Sequence, residues 1–376
     1  MMSIATGKLI DLKGMAILGK RLLTLPIIVW LLSACSAELV PIKGCDTLDD
    51  IKPVCNMQTP EDIAVLADNR HLLLAHYGGI DHGTGSLSLF DTQTNNVKPL
   101  YPLVEDALSY GGKNWGDTDC PQPDSNLFRP HGTHLQALAD GSLRYLVVNH
   151  GGRESIEMFE FILMGSSSKL VWQGCILAEP ETFVNDVVGF SNGDVIFSRM
   201  YHESSVWVML KSITGRDTGD LWRWSKELAL KIIPGTAASQ PNGLEVSADE
   251  KFIFANMYME HEVWKIDVQT GEKLAAAHVT KPDNSAWSND GQLWIASHTE
   301  SLVNMFSCIK QQSVPCGAAF EIVSLDPNTM ATTVVFAHQG APMGAATIAV
   351  PQAGRVYLGA FVGDRLISVP NFDAQE

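Results

Sequence analysis

One pattern recurs six times along this chain and constrains its fold more than any single motif does: an apolar run, a tight turn, and a second apolar run. The units are Asp62–Leu66 and His71–His76 about Asp68-Asn69; Leu135–Leu138 and Tyr145–Asn149 about Asp140-Gly141; and Val187–Phe190 and Val195–Ser198 about Asn192-Gly193. They continue as Leu244–Val246 and Phe252–Ala255 about Asp249-Glu250, Ser285–Trp287 and Leu293–Ser297 about Asp290-Gly291, and Thr347–Val350 and Val356–Ala360 about Gln352–Gly354. Runs of strand length joined by Asn-Gly or Asp-Gly read as β-hairpins. Further strands follow several of them, at Ser86–Phe90, Ile156–Phe161, Val263–Val268 and Leu366–Val369, and no amphipathic helix of useful length stands out in the body of the chain. Short antiparallel strands cannot each build a core, so units of about 50–60 residues must stack on one another. The expected fold is all-β, a six-bladed β-propeller over residues 56–376, because closing the ring hides all but short edges. A β-sandwich is the rival, but it would not repeat one hairpin six times.

The N-terminus reads separately. Lys13, Lys20 and Arg21 precede an apolar run from Leu22 to Leu32 that ends Leu32-Ser33-Ala34-Cys35. The run is shorter than the roughly 20 apolar residues of a spanning helix. A basic flank, a short apolar stretch and small residues before a cleavage point make a secretory signal over residues 1–34. The Leu-Ser-Ala-Cys end resembles a bacterial lipobox, with Cys35 as the lipidated first residue; an ordinary cut near Ala34 is the alternative. Ser36 rather than Asp after that Cys is similar to outer-membrane sorting. The expectation is export and a lipid anchor, facing the periplasm or the cell surface. Residues 35–55 form a linker that carries the first cysteine pair.

Loss of residues 1–34 would take the net charge from −16 to 22 − 41 = −19, and so acidic a chain argues against a nucleic-acid partner. With Cys35 lipidated, six of the seven cysteines remain, Cys45, Cys55, Cys120, Cys175, Cys308 and Cys316, and an even number in an exported chain suggests disulfides. Cys45–Cys55 and Cys308–Cys316 would close short loops and leave Cys120–Cys175, although spacing does not determine connectivity.

In a propeller the first strand of each blade lines the central tunnel. Just before or at these strands stand Glu61-Asp62, His131, Asn185-Asp186, Asn242 and Asp283-Asn284, while the sixth blade offers only Ala346-Thr347. Carboxylate and amide oxygens without thiols suit a hard cation such as Ca²⁺. The competing explanation is that these residues cap strands and make turns. A turn centred on Asp140-Gly141 pairs residues whose numbers sum to 281, placing His131 opposite His150; a turn at Asp290-Gly291 likewise places Asp283 opposite His298. Two imidazoles in contact beside a cation can act together as a general base.

The ordered segments Pro60-Glu61-Asp62, Pro130-His131-Gly132, Leu146–His150, Asn185–Val188, Pro241-Asn242-Gly243 and Pro282-Asp283-Asn284 resemble the paraoxonase/arylesterase family. More distantly, the chain is similar to gluconolactonase and strictosidine-synthase-like propellers. By motif, the resemblance implies two Ca²⁺ ions. Glu61, Asn185, Asn242, Asp283 and Asn284 would hold the catalytic one. Asp62, Asp186 and the backbone near Thr133 would hold a structural one. His131 and His150 would form the proton-transfer dyad, and His298 would line the pocket. Two departures stand out: no Cys follows Cys316 to staple the ring shut, and Thr133-His134 replaces an apolar step.

The activity this implies is hydrolysis of a lactone or aryl ester, a small-molecule substrate, with no serine nucleophile expected. Trp115, Phe128 and Trp207 are candidates to wall the pocket. A non-catalytic propeller lipoprotein that binds a sugar, peptide or protein is the alternative. A strictosidine-synthase-like condensing enzyme is weaker, because it would not need the Glu61-centred ring.

Overall fold

A computed structural model describes residues 39–78, 83–103, 111–203, 206–311 and 314–372. The signal segment 1–34 and Cys35 lie outside the described residues. Six four-stranded antiparallel sheets follow one another around a ring, which is a six-bladed β-propeller. The innermost strands are Pro60–Val65, Pro130–Ala137, Phe183–Gly189, Pro241–Val246, Pro282–Trp287 and Ala346–Gln352. Each touches the next, and the sixth touches the first.

Each pair of neighbouring blades encloses its own apolar cluster. Tyr145 and Val147 face the first blade, beside Leu73 and Leu87. Leu146 and Val148, alternating with them in sequence, face the third blade beside Val187 and Phe197. Alternate side chains of one strand are thus buried on opposite faces, so the strand reads as one apolar run rather than an alternation of apolar and polar residues.

Among the described residues the ring closes through strand pairing and hydrogen bonds. Lys52–Val54, within the segment read as a linker, is the outermost strand of the sixth blade and pairs with Leu366–Pro370. The backbone N–H of Met57 donates to Asp364 O (2.7 Å), and the Arg355 guanidinium donates to Asp50 O (2.8 Å). The three disulfides are Cys45–Cys55, Cys120–Cys175 and Cys308–Cys316.

Among the described residues two α-helices depart from the all-strand expectation: α1, Val206–Ile213, inserted in the third blade, and α2, Leu302–Gln311, inserted in the fifth. They escape sequence inspection because each spans only two or three turns and buries little of its own surface. A start signal for α2 is present, since the Ser301 hydroxyl accepts from the Asn304 N–H (3.2 Å), an N-cap.

Candidate functional site

The leading end of each innermost strand carries a small irregularity that sets the site. In the second blade Pro130 pairs with Asn149 and Thr133 with Val147, so two residues, His131 and Gly132, bulge opposite one. Shifts at the same place occur in the first, fourth and fifth blades. The observed sums are therefore 280 in the strand and 279 beyond the bulge, not the expected 281. The bulge re-aims the side chains toward the tunnel, and the expected contacts form despite the changed register. His150 Nε2 lies 3.1 Å from His131 Nδ1, and His298 Nε2 lies 3.5 Å from Asp283 Oδ2.

Glycines let the blades meet here. A Cβ on Gly132 would stand 2.4 Å from Asp186 Oδ1, and one on Gly243 would stand 2.5 Å from Asp283 O. Gly243→Ala is therefore expected to push Asp283-Asn284 out of place and cost about 1–3 kcal/mol, read as a lower urea midpoint. A wild-type midpoint would show that the blades separate freely.

Glu61 lies at the centre. Asn284 Nδ2 donates to its Oε1 (3.0 Å), and His131 Nε2 lies 3.5 Å from the same oxygen. The sixth blade contributes the Thr347 hydroxyl, which donates to Glu61 O (2.5 Å). Glu61 Oε2 and Asn242 Oδ1 are buried without a hydrogen-bond partner. Below them, Asp62 accepts from Ile63 N (2.8 Å), Thr133 N (2.6 Å) and the Thr133 hydroxyl (2.7 Å). Asp186 accepts from Val187 N (2.7 Å) and Leu244 N (2.6 Å).

Burial dominates the electrostatics. It raises the Glu61 carboxyl well above the ordinary range, and Asp62, Asp283 and Asp186 raise it further. Burial takes Asp62 up to about 6 and Asp283 up to about 7, the latter despite a hydrogen bond from Asn242. Asp186 is raised by burial and then by Asp62. His131 is held well below the usual imidazole value by burial, then by His150 and Arg129. Each Coulombic neighbour acting on Glu61 is another acid, so a cation is the group that would let this cluster ionise.

Among the described residues no three His, Cys, Asp or Glu side chains converge as a metal site. Asn185, Asn242 and Asn284 supply the remaining oxygens of this ring. An all-oxygen set with two orphaned buried oxygens fits Ca²⁺.

Above the ring is a cavity of about 350 Å³. Glu61, His131, Asn185, Asn242, Asp283 and His298 all border it. Its walls are apolar and aromatic: Tyr77, Phe183, Tyr201, Tyr258 and Phe361 from the blades, Met209 and Ile213 from α1, and Met305, Phe306 and Ile309 from α2. The three aromatics expected from sequence are elsewhere. Trp115 packs against the cluster between the second and third blades, Phe128 is in the core, and Trp207 points to solvent. Tyr258 OH and His298 Nδ1 are 3.0 Å apart, and His298 Nε2 is 3.0 Å from Ala346 O.

Sequence reading missed Glu154, whose Oε1 is 2.8 Å from His150 Nδ1; its position four residues after that histidine was the available signal. It also missed a Gly-x-Ser-x-Gly spacing at Gly189–Gly193. That segment is a hairpin turn at the trailing end of its strand, not a strand-to-helix elbow. Its Ser191 hydroxyl is bound to Glu250 (2.7 Å), so it supplies no nucleophile at the cavity.

Comparison with known proteins is consistent with this geometry. The family model described as Arylesterase matches residues 118–367. Serum paraoxonase/arylesterase 2 of Gallus gallus is 22% identical over 243 residues, covering 63% of this chain and 67% of that protein. Serum paraoxonase/arylesterase 1 of Rattus norvegicus is 23% identical over 248 residues, with the same two coverages. Among solved structures, a gluconolactonase of Xanthomonas campestris superposes with a TM-score of 0.50 at 14% identity, covering 89% of this chain and 95% of that one. A luciferin-regenerating enzyme gives 0.51 at 12% identity, with 85% and 93% covered. At those identities the solved structures speak to fold alone.

Proposed function

Because this chain belongs to the arylesterase family, we propose that it is a calcium-dependent hydrolase of lactones or aryl esters. The observation that carries this reading is the pair of orphaned buried oxygens, Glu61 Oε2 and Asn242 Oδ1, beneath an apolar cavity that also opens on His131. Glu61, Asn185, Asn242, Asp283 and Asn284 would hold the catalytic Ca²⁺, which when bound supplies Lewis acidity toward an ester carbonyl. Asp62, Asp186 and the Thr133 backbone would hold the second, structural ion.

The chain's own groups do the rest. The apolar walls bind the aryl or acyl part of the substrate and exclude water from all but the polar floor. Burial holds the His131 imidazole well below its usual value, which favours the neutral ring whose bare nitrogen takes the proton of an attacking water. Its contact with His150 offers that charge a second imidazole. As the carbon–oxygen bond to the leaving group breaks, the same proton returns to the departing alkoxide. No serine is needed.

The signal-like N-terminus supports a further proposal, that the chain is exported and anchored through a lipid on Cys35.

The test is turnover of phenyl acetate and a small lactone panel with calcium, then after chelation. Activity that is lost on chelation and restored by calcium is the expected result. Calcium binding with no turnover of any substrate would make the propeller a calcium-stabilised binding module instead.

A further inference from the structure

His150 is held from three sides. Its Nδ1 faces both oxygens of Glu154, at 2.8 and 3.0 Å, and its Nε2 faces His131 Nδ1 at 3.1 Å. The Phe183 ring stacks on it, with centroids 4.1 Å apart and planes 17° from parallel. Glu154 is itself pinned, since its Oε2 receives the Val184 N–H (3.4 Å) and its carbonyl receives the Ala178 N–H (3.1 Å).

A carboxylate can only accept, so the nitrogen facing it must carry a hydrogen. Neutral imidazole has one N–H, and with that hydrogen on Nδ1 the His150 Nε2 is a bare acceptor. The proton between the two rings therefore sits on His131 Nδ1. That leaves His131 Nε2 bare on the cavity side; Glu61 Oε1 also faces this nitrogen, but at 3.5 Å it is outside ordinary hydrogen-bond distance and makes the weaker claim on a hydrogen than Glu154 does on His150 at 2.8 Å. The opposite tautomer would put hydrogens on His150 Nε2 and His131 Nε2 and block the base.

We infer that Glu154 is a positioning residue: it sets the tautomer of the whole His131–His150 pair and faces the positive charge when a proton reaches His150. Its consequence for turnover rests on the hydrolase reading above; its hold on the tautomer does not. Glu154 does not line the cavity; its carboxylate meets His150 and the Val184 N–H.

The experiment is nitrogen NMR of the ¹⁵N-histidine-labelled full chain at about pH 8, above the ordinary imidazole value of about 6.5, with kcat and KM measured alongside. In the wild type, His150 and His131 are both expected to be protonated on Nδ1 and bare on Nε2. Glu154→Ala is expected to shift His150 toward the Nε2–H form and to lower kcat about 10–100-fold, with KM within about twofold. Glu154→Gln, which keeps the side-chain length, is expected to fold and to lower kcat about tenfold by removing the charge alone. A wild-type His150 bare at Nδ1 overturns the inference without any variant. So does an alanine variant with the wild-type spectrum, or a glutamine variant with full kcat. If no ester or lactone is turned over but Glu154→Ala shifts the spectrum as expected, the hydrolase reading fails and the tautomer assignment stands.

Discussion

His131→Gln is expected to lower kcat for any ester or lactone the protein hydrolyses by about 10²–10⁴-fold, the range for loss of a positioned general base. Glutamine retains a hydrogen-bonding amide near Glu61 but cannot take up a proton at pH 7. The rise in melting temperature on adding calcium should be unchanged, because His131 is outside the proposed ligand set. Asn242→Ala removes an orphaned buried oxygen and should lose both activity and most of that calcium response. Measuring both properties in both variants separates base from ligand. Full activity in His131→Gln would end the dyad mechanism and leave the metal site intact.

The second large effect is on stability. Asp62 and Asp283 are pushed up to about 6 and 7 by burial, above the ordinary carboxyl value of about 4. Without calcium the folded protein therefore holds protons between about pH 4 and pH 7 that the unfolded chain has released. Linkage then makes stability fall as pH rises through that window. Each tenfold difference in proton affinity is worth about 1.4 kcal/mol, so these two groups together cost several kcal/mol. The melting midpoint in chelator should drop on the order of 10 °C from pH 4.5 to pH 8, taking the usual few degrees per kcal/mol. Saturating calcium pairs the ionised carboxylates and should nearly flatten the curve. A chelated protein whose midpoint rises with pH would show that these acids find another partner.

Much of the fold was legible because a hairpin is a local object. Asp140-Gly141 or Asn192-Gly193 between apolar runs specifies a turn without reference to the rest of the chain, and six such turns leave few ways to bury the strands. Ring residues were legible for a related reason: Glu61, Asn185, Asn242 and Asp283 each stand seven residues before the turn of their hairpin, and His131 stands nine before its own, so the repeat itself marks them. The cavity was not legible in this way. Its walls come from Tyr77, Phe183, Tyr258 and two short helices inserted at unrelated points, and only closure of the ring brings them over the polar floor. The bulges were also out of reach, because register depends on packing such as Gly132 against Asp186 in the next blade.

The sequence by itself determined the number of blades and the order of the polar residues at their leading ends, because turn chemistry and apolar runs of strand length act within a few residues. Tertiary structure alone decided which oxygens are left without partners, that Glu61 lies against Asn284 and His131, and that Glu154 reaches the back of His150. Burial, desolvation and hydrogen-bond partnership are properties of the assembled neighbours, and here those neighbours come from blades as far apart in sequence as Glu61 and Thr347.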